Sequence, residues 1–442
     1  MNEFSKALHG VVQELCKALA SSGLPRRPWT RVVRQPDGTL ELSDDTRVDT
    51  LELNIQIFRM LGSSLSLQRL LDAIGAEASL RRMFIGEGQH ALISNDINGR
   101  AQLWNIGLSS FFSRYFHAVK DARFDEEIFS SLANIFLTEI GTQEAQVINI
   151  TPVIGLSLAS DSISVSQDAS LRRITDDELE EWINQEELMS TVMRMPNSFL
   201  PLRTVDLPSF EYGIETRYEY PLRLSIGSSM PKVVDDTPKI LTALRLMTNK
   251  RMRTPFTQQK TSGVMGFGGF TTYGQAPLLP GDDTASLSEE DERTLLRIIT
   301  GINATGEDSL LTLSLRRWDI QSERFRDDDK LLDCWIAFEA LVTPDSNEGL
   351  RFRASLRVAS FVGEPPAHPT DIYADMKTSY DWRSAIIHGD QDRMRNLEKK
   401  TPLTQVVTRT RGYLQKLLLK VLVMEDPNSF KPSEIEKRML ER

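Results

Sequence analysis

The sequence predicts a multidomain α+β protein, with mixed N-terminal and β-rich middle regions followed by an all-α helical bundle. Three observations predict it. A chain of 442 residues holds enough material for about three separate cores. Hydrophobic periodicity is mostly helical over 1–141, turns β-branched and alternating over 142–284, and is helical again over 285–442. The stretch LLPGDDTASLSEEDE (278–292) has the Pro, Gly, Asp and Ser content of a boundary.

The elements follow in order. Phe4, Leu8, Val11, Val12, Leu15 and Leu19 recur at helical spacing. WTRVVRQPDGTLEL (29–42) reads as a hairpin, a Pro-Asp-Gly turn between β-prone flanks. Helical patterns return over 66–84 and dominate 103–141, where aromatics at helical spacing read as core and not as a ligand box. AQVINITPVIGLSLASDSISVS (145–166) and TRYEYPLRLSI (216–226) read as strands. Between them TDDELEEWINQEEL (175–188) has an N-capped helix start, and KILTALRLMT (239–248) is a further helix. TSGVMGFGGFTTYGQAP (261–277) is Gly-rich but lacks a following GK[ST], so it reads as a flexible loop before it reads as a phosphate cradle. The remainder predicts helices over 288–302, 309–320, 329–343, 349–363, 371–389 and 404–424, a bundle of five or six.

Several function classes are excluded or disfavoured. Two cysteines, Cys16 and Cys334, lie far apart without CxxC spacing, which excludes a disulfide framework and a cysteine zinc site and fits a reducing cytoplasm. The five histidines show no HExxH or HxH spacing, and nothing in the sequence calls for a metal or another cofactor. No apolar run approaches the roughly 18 residues that cross a bilayer, and the N-terminus lacks the apolar core of a signal peptide, so a cytoplasmic chain without membrane contact is expected. The net charge of −10 argues against a broad nucleic-acid binder. Residues 351–420, however, hold 13 Lys+Arg against 7 Asp+Glu, a local +6 on an acidic body.

That basic segment contains YDWRSAIIHGD (380–390). Trp382, Ala385, Ile386 and Gly389 follow the spacing of a buried stripe, and Gly389 suits a helix C-terminus. Arg383 and His388 fall off the stripe, about 140° apart around the axis, yet near enough to flank one cleft. Glu339 lies on the apolar face of Trp335 and Val342 in the helix at 329–343 and needs a partner, for which Arg351, Arg353, Arg357 and Arg383 are candidates. An ion pair that fixes helix packing is the simpler role for it. Arg393, Arg395, Lys399 and Lys400, within a longer Lys/Arg set over 391–420, are the candidate surface for a phosphate backbone; a solvated helix face is the other reading.

The last third of the chain resembles the Apea-like HEPN family and, more broadly, HEPN ribonucleases. The resemblance rests on three segments in order. RFRDDDKLLDCWIAFEALVTP (324–344) resembles the family's helix carrying Trp335, Glu339 and Leu341. GLRFRASLRVASFVG (349–363) resembles the Arg-rich helix that follows, and YDWRSAIIHG resembles the terminal run in which an Arg precedes a His by four to six residues. The resemblance implies a helical HEPN bundle over 285–442 and a metal-independent endoribonuclease whose subunits pair across a composite Arg–His cleft. Arg383 would clamp the scissile phosphate, His388 would be the acid/base, and Ser384, Glu339 and Asp381 would support them. The expected partners are RNA, tRNA among the candidates, and a second copy in a homodimer or higher even oligomer. A toxin-like role in antiphage defence, with a phage-derived trigger sensed by the regulatory region 142–284 and the N-terminal region 1–141, follows by family analogy. Two departures stand out: Ser384 follows the Arg where active members often carry Asn, Asp or His, and Asp390 occupies the place of a Tyr in some HEPN toxins. The alternative is a catalytically inactive HEPN module for dimerisation and nucleotide or protein binding.

Overall fold

Helix α1 (Glu3–Ser22) buries Phe4, Leu8, Val11, Val12, Leu15 and Leu19, the stripe its spacing predicts. In this computed structural model the described residues are 3–36, 39–61, 64–77, 80, 93–95, 101–103, 106–142, 144–184, 210–221, 236–250, 252–264, 269–272, 284–344, 349–364 and 368–435. The hairpin-turn residues Asp37 and Gly38, residues 265–268 and 273–277 of the Gly-rich stretch, 278–283 of the boundary, and the far ends of the helices and strand expected over 66–84, 175–188 and 216–226 lie outside them.

The chain forms two compact units, with sheets in its N-terminal and middle parts and helices towards its C-terminus. One unit comprises Met1–Val153, Ser166–Asp235 and Thr254–Ala276. Its apolar core joins α1 to α2 (Thr50–Leu61), α3 (Leu65–Ala76), α4 (Ile106–Val119) and α5 (Glu126–Thr142). The aromatics of α4 and α5 are core: Phe111, Phe112, Tyr115, Phe116, Phe129 and Phe136 are all buried, with Phe111 and Phe136 ring centroids 5.3 Å apart. Strands β1 (Arg26–Arg34) and β2 (Leu40–Val48) form the expected hairpin, with Trp29 opposite Asp45. Glu180 of α6 (Asp176–Ile183) accepts hydrogen bonds from the Trp29 indole and the Val32 amide and so ties the hairpin to that helix. A sheet built on β3 (Glu144–Val153), β4 (Tyr212–Pro221) and β5 (Phe256–Thr261) completes the unit.

The other unit comprises Ile154–Val165, Asp236–Arg253 and Pro277–Arg442. It packs α7 (Thr237–Thr248) with α8 (Glu289–Ala304), α9 (Leu310–Glu323), α10 (Asp327–Val342), α11 (Leu350–Val362), α12 (Pro369–Ile387), α13 (Gln391–Lys400) and α14 (Leu403–Leu422). Local chemistry sets the ends of these helices. Ser288 and Asp291 form a capping box on α8, whose first turn carries Glu289, Glu290 and Glu292 where the dipole favours anions. Pro369 opens α12 at a position needing no amide donor. The bundle has more helices than the five or six expected. Helix α13 buries no residue, so it carries no apolar period; the Asp390 side chain starts it by accepting from the Arg393 amide.

Candidate functional site

Helix α12 lies at the centre of the bundle's polar chemistry because α10, α11 and α14 pack around it. Its buried face is Ile372, Met376, Ser379, Trp382 and Ala385. The one polar residue in that set is satisfied: Ser379 Oγ accepts from Trp335 Nε1 and from Thr410 Oγ1, each at 2.8 Å. The Trp382 indole donates to the Thr401 carbonyl at 3.2 Å, fixing the helix end on which the candidate residues sit. The stripe expected over 382–389 is shorter than its spacing implies: Ile386 is only half-buried and Gly389 is exposed. The physical reason is the helix end. α12 stops at Ile387, and Gly389 takes φ +64° beyond it.

That end is a full Schellman turn. The Asp390 amide donates to the Ala385 carbonyl at 3.0 Å and the Gly389 amide to Ile386 at 3.1 Å. His388 is thereby the C-cap, its own amide bonded to the Ser384 carbonyl. Its main chain is fixed while its side chain is exposed, and among the described residues no hydrogen bond or ion pair engages the ring. The Ser384–His388 link is carried by the main chain; no hydrogen bond joins the hydroxyl to the imidazole.

Arg383 is half-buried and held from two sides. Its Nη2 lies 2.9 Å from Glu339 Oε1 on α10, so among the four arginines open to Glu339 the fold selects Arg383. Its guanidinium carbon also sits 5.5 Å from the Tyr380 ring centroid, a cation–π distance. Tyr380 in turn meets Trp335 edge-on at 5.2 Å. Burial pushes the Glu339 carboxyl above its ordinary range, and Arg383 opposes that rise by Coulombic attraction. Asp381 pairs with Arg351 of α11 at 2.7 Å and with Arg393 of α13 at 3.0 Å, bridging three helices.

The four basic residues on α13 are exposed but differ in engagement. Arg393 is paired with Asp381, and Arg395 lies 3.3 Å from Asp392. Lys399 and Lys400, in the last turn, have no ion-pair partner among the described residues and are the cations there open to an anionic ligand. Neither cysteine offers a nucleophile: burial pushes Cys16 up to about 11 and Cys334 up to about 12. Among the described residues no group of three or more His, Cys, Asp and Glu side chains is placed to hold a metal ion, and no helix is long and apolar enough to cross a membrane.

The structure also brings forward residues the motif reading passes over. Tyr373, Lys377 and Tyr380 follow i, i+4, i+7 on α12, so they share a face; with Gly349, Arg351 and Phe352 of the α11 start they line a pocket of about 370 Å³. That alternation of aromatic and basic residues was the available signal. No family model matches the chain, and no curated protein or solved structure matches it.

Proposed function

We propose that this chain is a metal-independent HEPN-type endoribonuclease, in which Arg383 and His388 of two copies face one RNA strand across a composite site. The observation that carries the reading is the contrast at the end of α12: His388 has a fixed main chain and an unengaged, exposed ring, five residues along the chain from a guanidinium that α10 holds in place. An imidazole titrates near neutrality and so both takes and gives protons. One imidazole removes the 2′-hydroxyl proton as that oxygen attacks the adjacent phosphorus. The bond to the 5′-oxygen breaks, and an imidazolium protonates the leaving oxygen. Arg383 faces the negative charge of the phosphorane. Glu339 is then a positioning residue, since it holds Arg383 and gives it up to a phosphate that competes for the guanidinium. Asp381 positions α11 and α13 beside the site through Arg351 and Arg393. DNA, lacking the 2′-hydroxyl, is not cut. The biological role that fits is an antiphage effector whose RNase stays silent until the regions before the bundle sense a phage-derived trigger.

One observation favours a second reading, an inactive HEPN module for dimerisation and nucleotide or protein binding. Arg383 is already paired, and Ser384 does not reach the imidazole. The decisive experiment expresses the wild type, Arg383→Ala and His388→Ala with and without phage challenge, and sequences RNA ends. On the nuclease reading, new ends and growth arrest appear in the challenged wild type and are lost in both variants. Identical RNA profiles and growth in all three strains would leave the inactive module as the better account.

A further inference from the structure

We propose that the pocket between the start of α11 and the outer face of α12 is a nucleobase-stacking subsite, which seats one nucleotide of a single-stranded RNA beside the Arg383 site. The proposal rests on the ribonuclease reading for the identity of the strand, and on the pocket itself for the chemistry.

The pocket has about 370 Å³, within the roughly 300–1,000 Å³ range of small-ligand sites. Its walls are aromatic and cationic: Phe352, Tyr373 and Tyr380 with Arg351 and Lys377, and no carboxylate among the described residues that line it. Phe352 is 57% exposed, a large apolar ring left in water by the folded chain. It meets Tyr373 edge-on with centroids 6.3 Å apart, so a planar group entering the pocket finds two rings set at 83° to each other. Lys377 Nζ stands 5.2 Å from the Tyr373 ring centroid, and among the described residues no carboxylate pairs with it. Arg351 adds a second cation, anchored through Asp381. Rings for a base beside cations for its phosphate are the elements of single-strand binding. A paired duplex offers no free base face, so the pocket selects unpaired nucleotides.

Tyr380 makes the link to the candidate site. It lines this pocket, and the Arg383 guanidinium lies over its ring. A base stacked on Phe352 and edge-on to Tyr373 is therefore separated from Arg383 by one side chain, Tyr380. The subsite would both raise affinity for the strand and set which phosphodiester is presented.

The test uses the full chain carrying His388→Ala, so that bound RNA survives, and follows fluorescence anisotropy of a labelled single-stranded oligoribonucleotide at fixed salt. Phe352→Ala is expected to weaken binding roughly tenfold and Phe352→Tyr to restore it, because stacking on a ring tolerates the hydroxyl. Lys377→Gln is expected to weaken binding and to lower its salt dependence by about one counterion. Phe352 is exposed, so its removal leaves the fold intact, and thermal melting verifies this. Unchanged oligonucleotide binding in Phe352→Ala and Lys377→Gln, or no oligonucleotide binding at all, overturns the proposal. A free mononucleotide arm separates the sources of the ligand. If adenosine monophosphate displaces the strand at equal concentration, the pocket is a mononucleotide site and the strand assignment falls. The outcomes also separate from those of the nuclease reading. Ring-dependent binding without cleavage by the wild type retains the subsite and loses the nuclease; His388-dependent cleavage with ring-independent binding does the reverse.

Discussion

Arg383 sits between a half-buried carboxylate and an aromatic ring, and its charge opposes the burial that raises that carboxyl. Because burial raises the Glu339 carboxyl, the folded protein holds that proton more tightly than the unfolded chain does. The associated stability is complete below the ordinary carboxylate range and is lost as pH rises through the raised value. Glu339→Gln should therefore flatten the fall in stability as pH rises out of the ordinary carboxylate range, read as melting temperature against pH. Arg383→Ala removes the opposing charge. It should cost about 1–3 kcal/mol near neutrality and less in acid, where the carboxyl is protonated, as chemical denaturation at two pH values would show. Gly389 makes a separate prediction. An added Cβ meets nothing within 4 Å, so Gly389→Ala costs only the strain of φ +64°, about 1 kcal/mol, and loosens the turn that fixes His388. The Arg–His spacing and the need of Glu339 for a basic partner were legible in the sequence. Which of four arginines serves was not, because the choice depends on how α10 and α12 align in space.

At the scale of elements, the long helices were legible because each carries an apolar period and an end signal. Helix α8 begins at Ser288 with its capping box, and α12 ends at His388 and Gly389. Helix α13 escaped because it has no buried face; its formation is decided by the Asp390 cap and by residues with good helix propensity. The exposure of its charged residues makes it tolerant. Lys399→Gln with Lys400→Gln should leave the melting temperature unchanged and lower the salt slope of RNA binding by about one to two counterions. Close approach between helices is less tolerant. A Cβ at Gly301 of α8 would lie 2.1 Å from the Leu422 carbonyl oxygen at the end of α14, a main-chain atom that cannot swing aside. Gly301→Ala should cost about 1–3 kcal/mol in denaturant unfolding, and a neutral result would mean these two helices do not meet as described. The charged cluster that joins α7 to α9 had no sequence signal either. Arg245 is buried and bonds the Met252 carbonyl while pairing with Asp319 and Glu323 of α9, contacts more than 70 positions apart in sequence.

At the scale of the whole molecule, a net charge of −10 coexists with a stretch at 351–420 that carries a local +6. The composite-site proposal makes cleavage depend on association of two copies. Rate per protomer should rise with protein concentration and level off where sedimentation reports a dimer; a constant rate through a range where the protein sediments as a monomer would refute the two-copy site. The α+β class, the change of texture near residue 142 and the helical C-terminal third were determined by the sequence alone. Periodicity, caps and β-branching are local properties, and local properties are written in consecutive residues. Only the tertiary structure decided that Ile154–Val165 and Asp236–Arg253 join the helical unit, that Glu339 meets Arg383, and that Phe352, Tyr373 and Lys377 converge on a pocket beside Tyr380. The reason is distance along the chain. Each of these depends on side chains brought together by burial elsewhere, and the hydrophobic effect that drives such burial is non-directional, so it leaves no mark at the positions it unites.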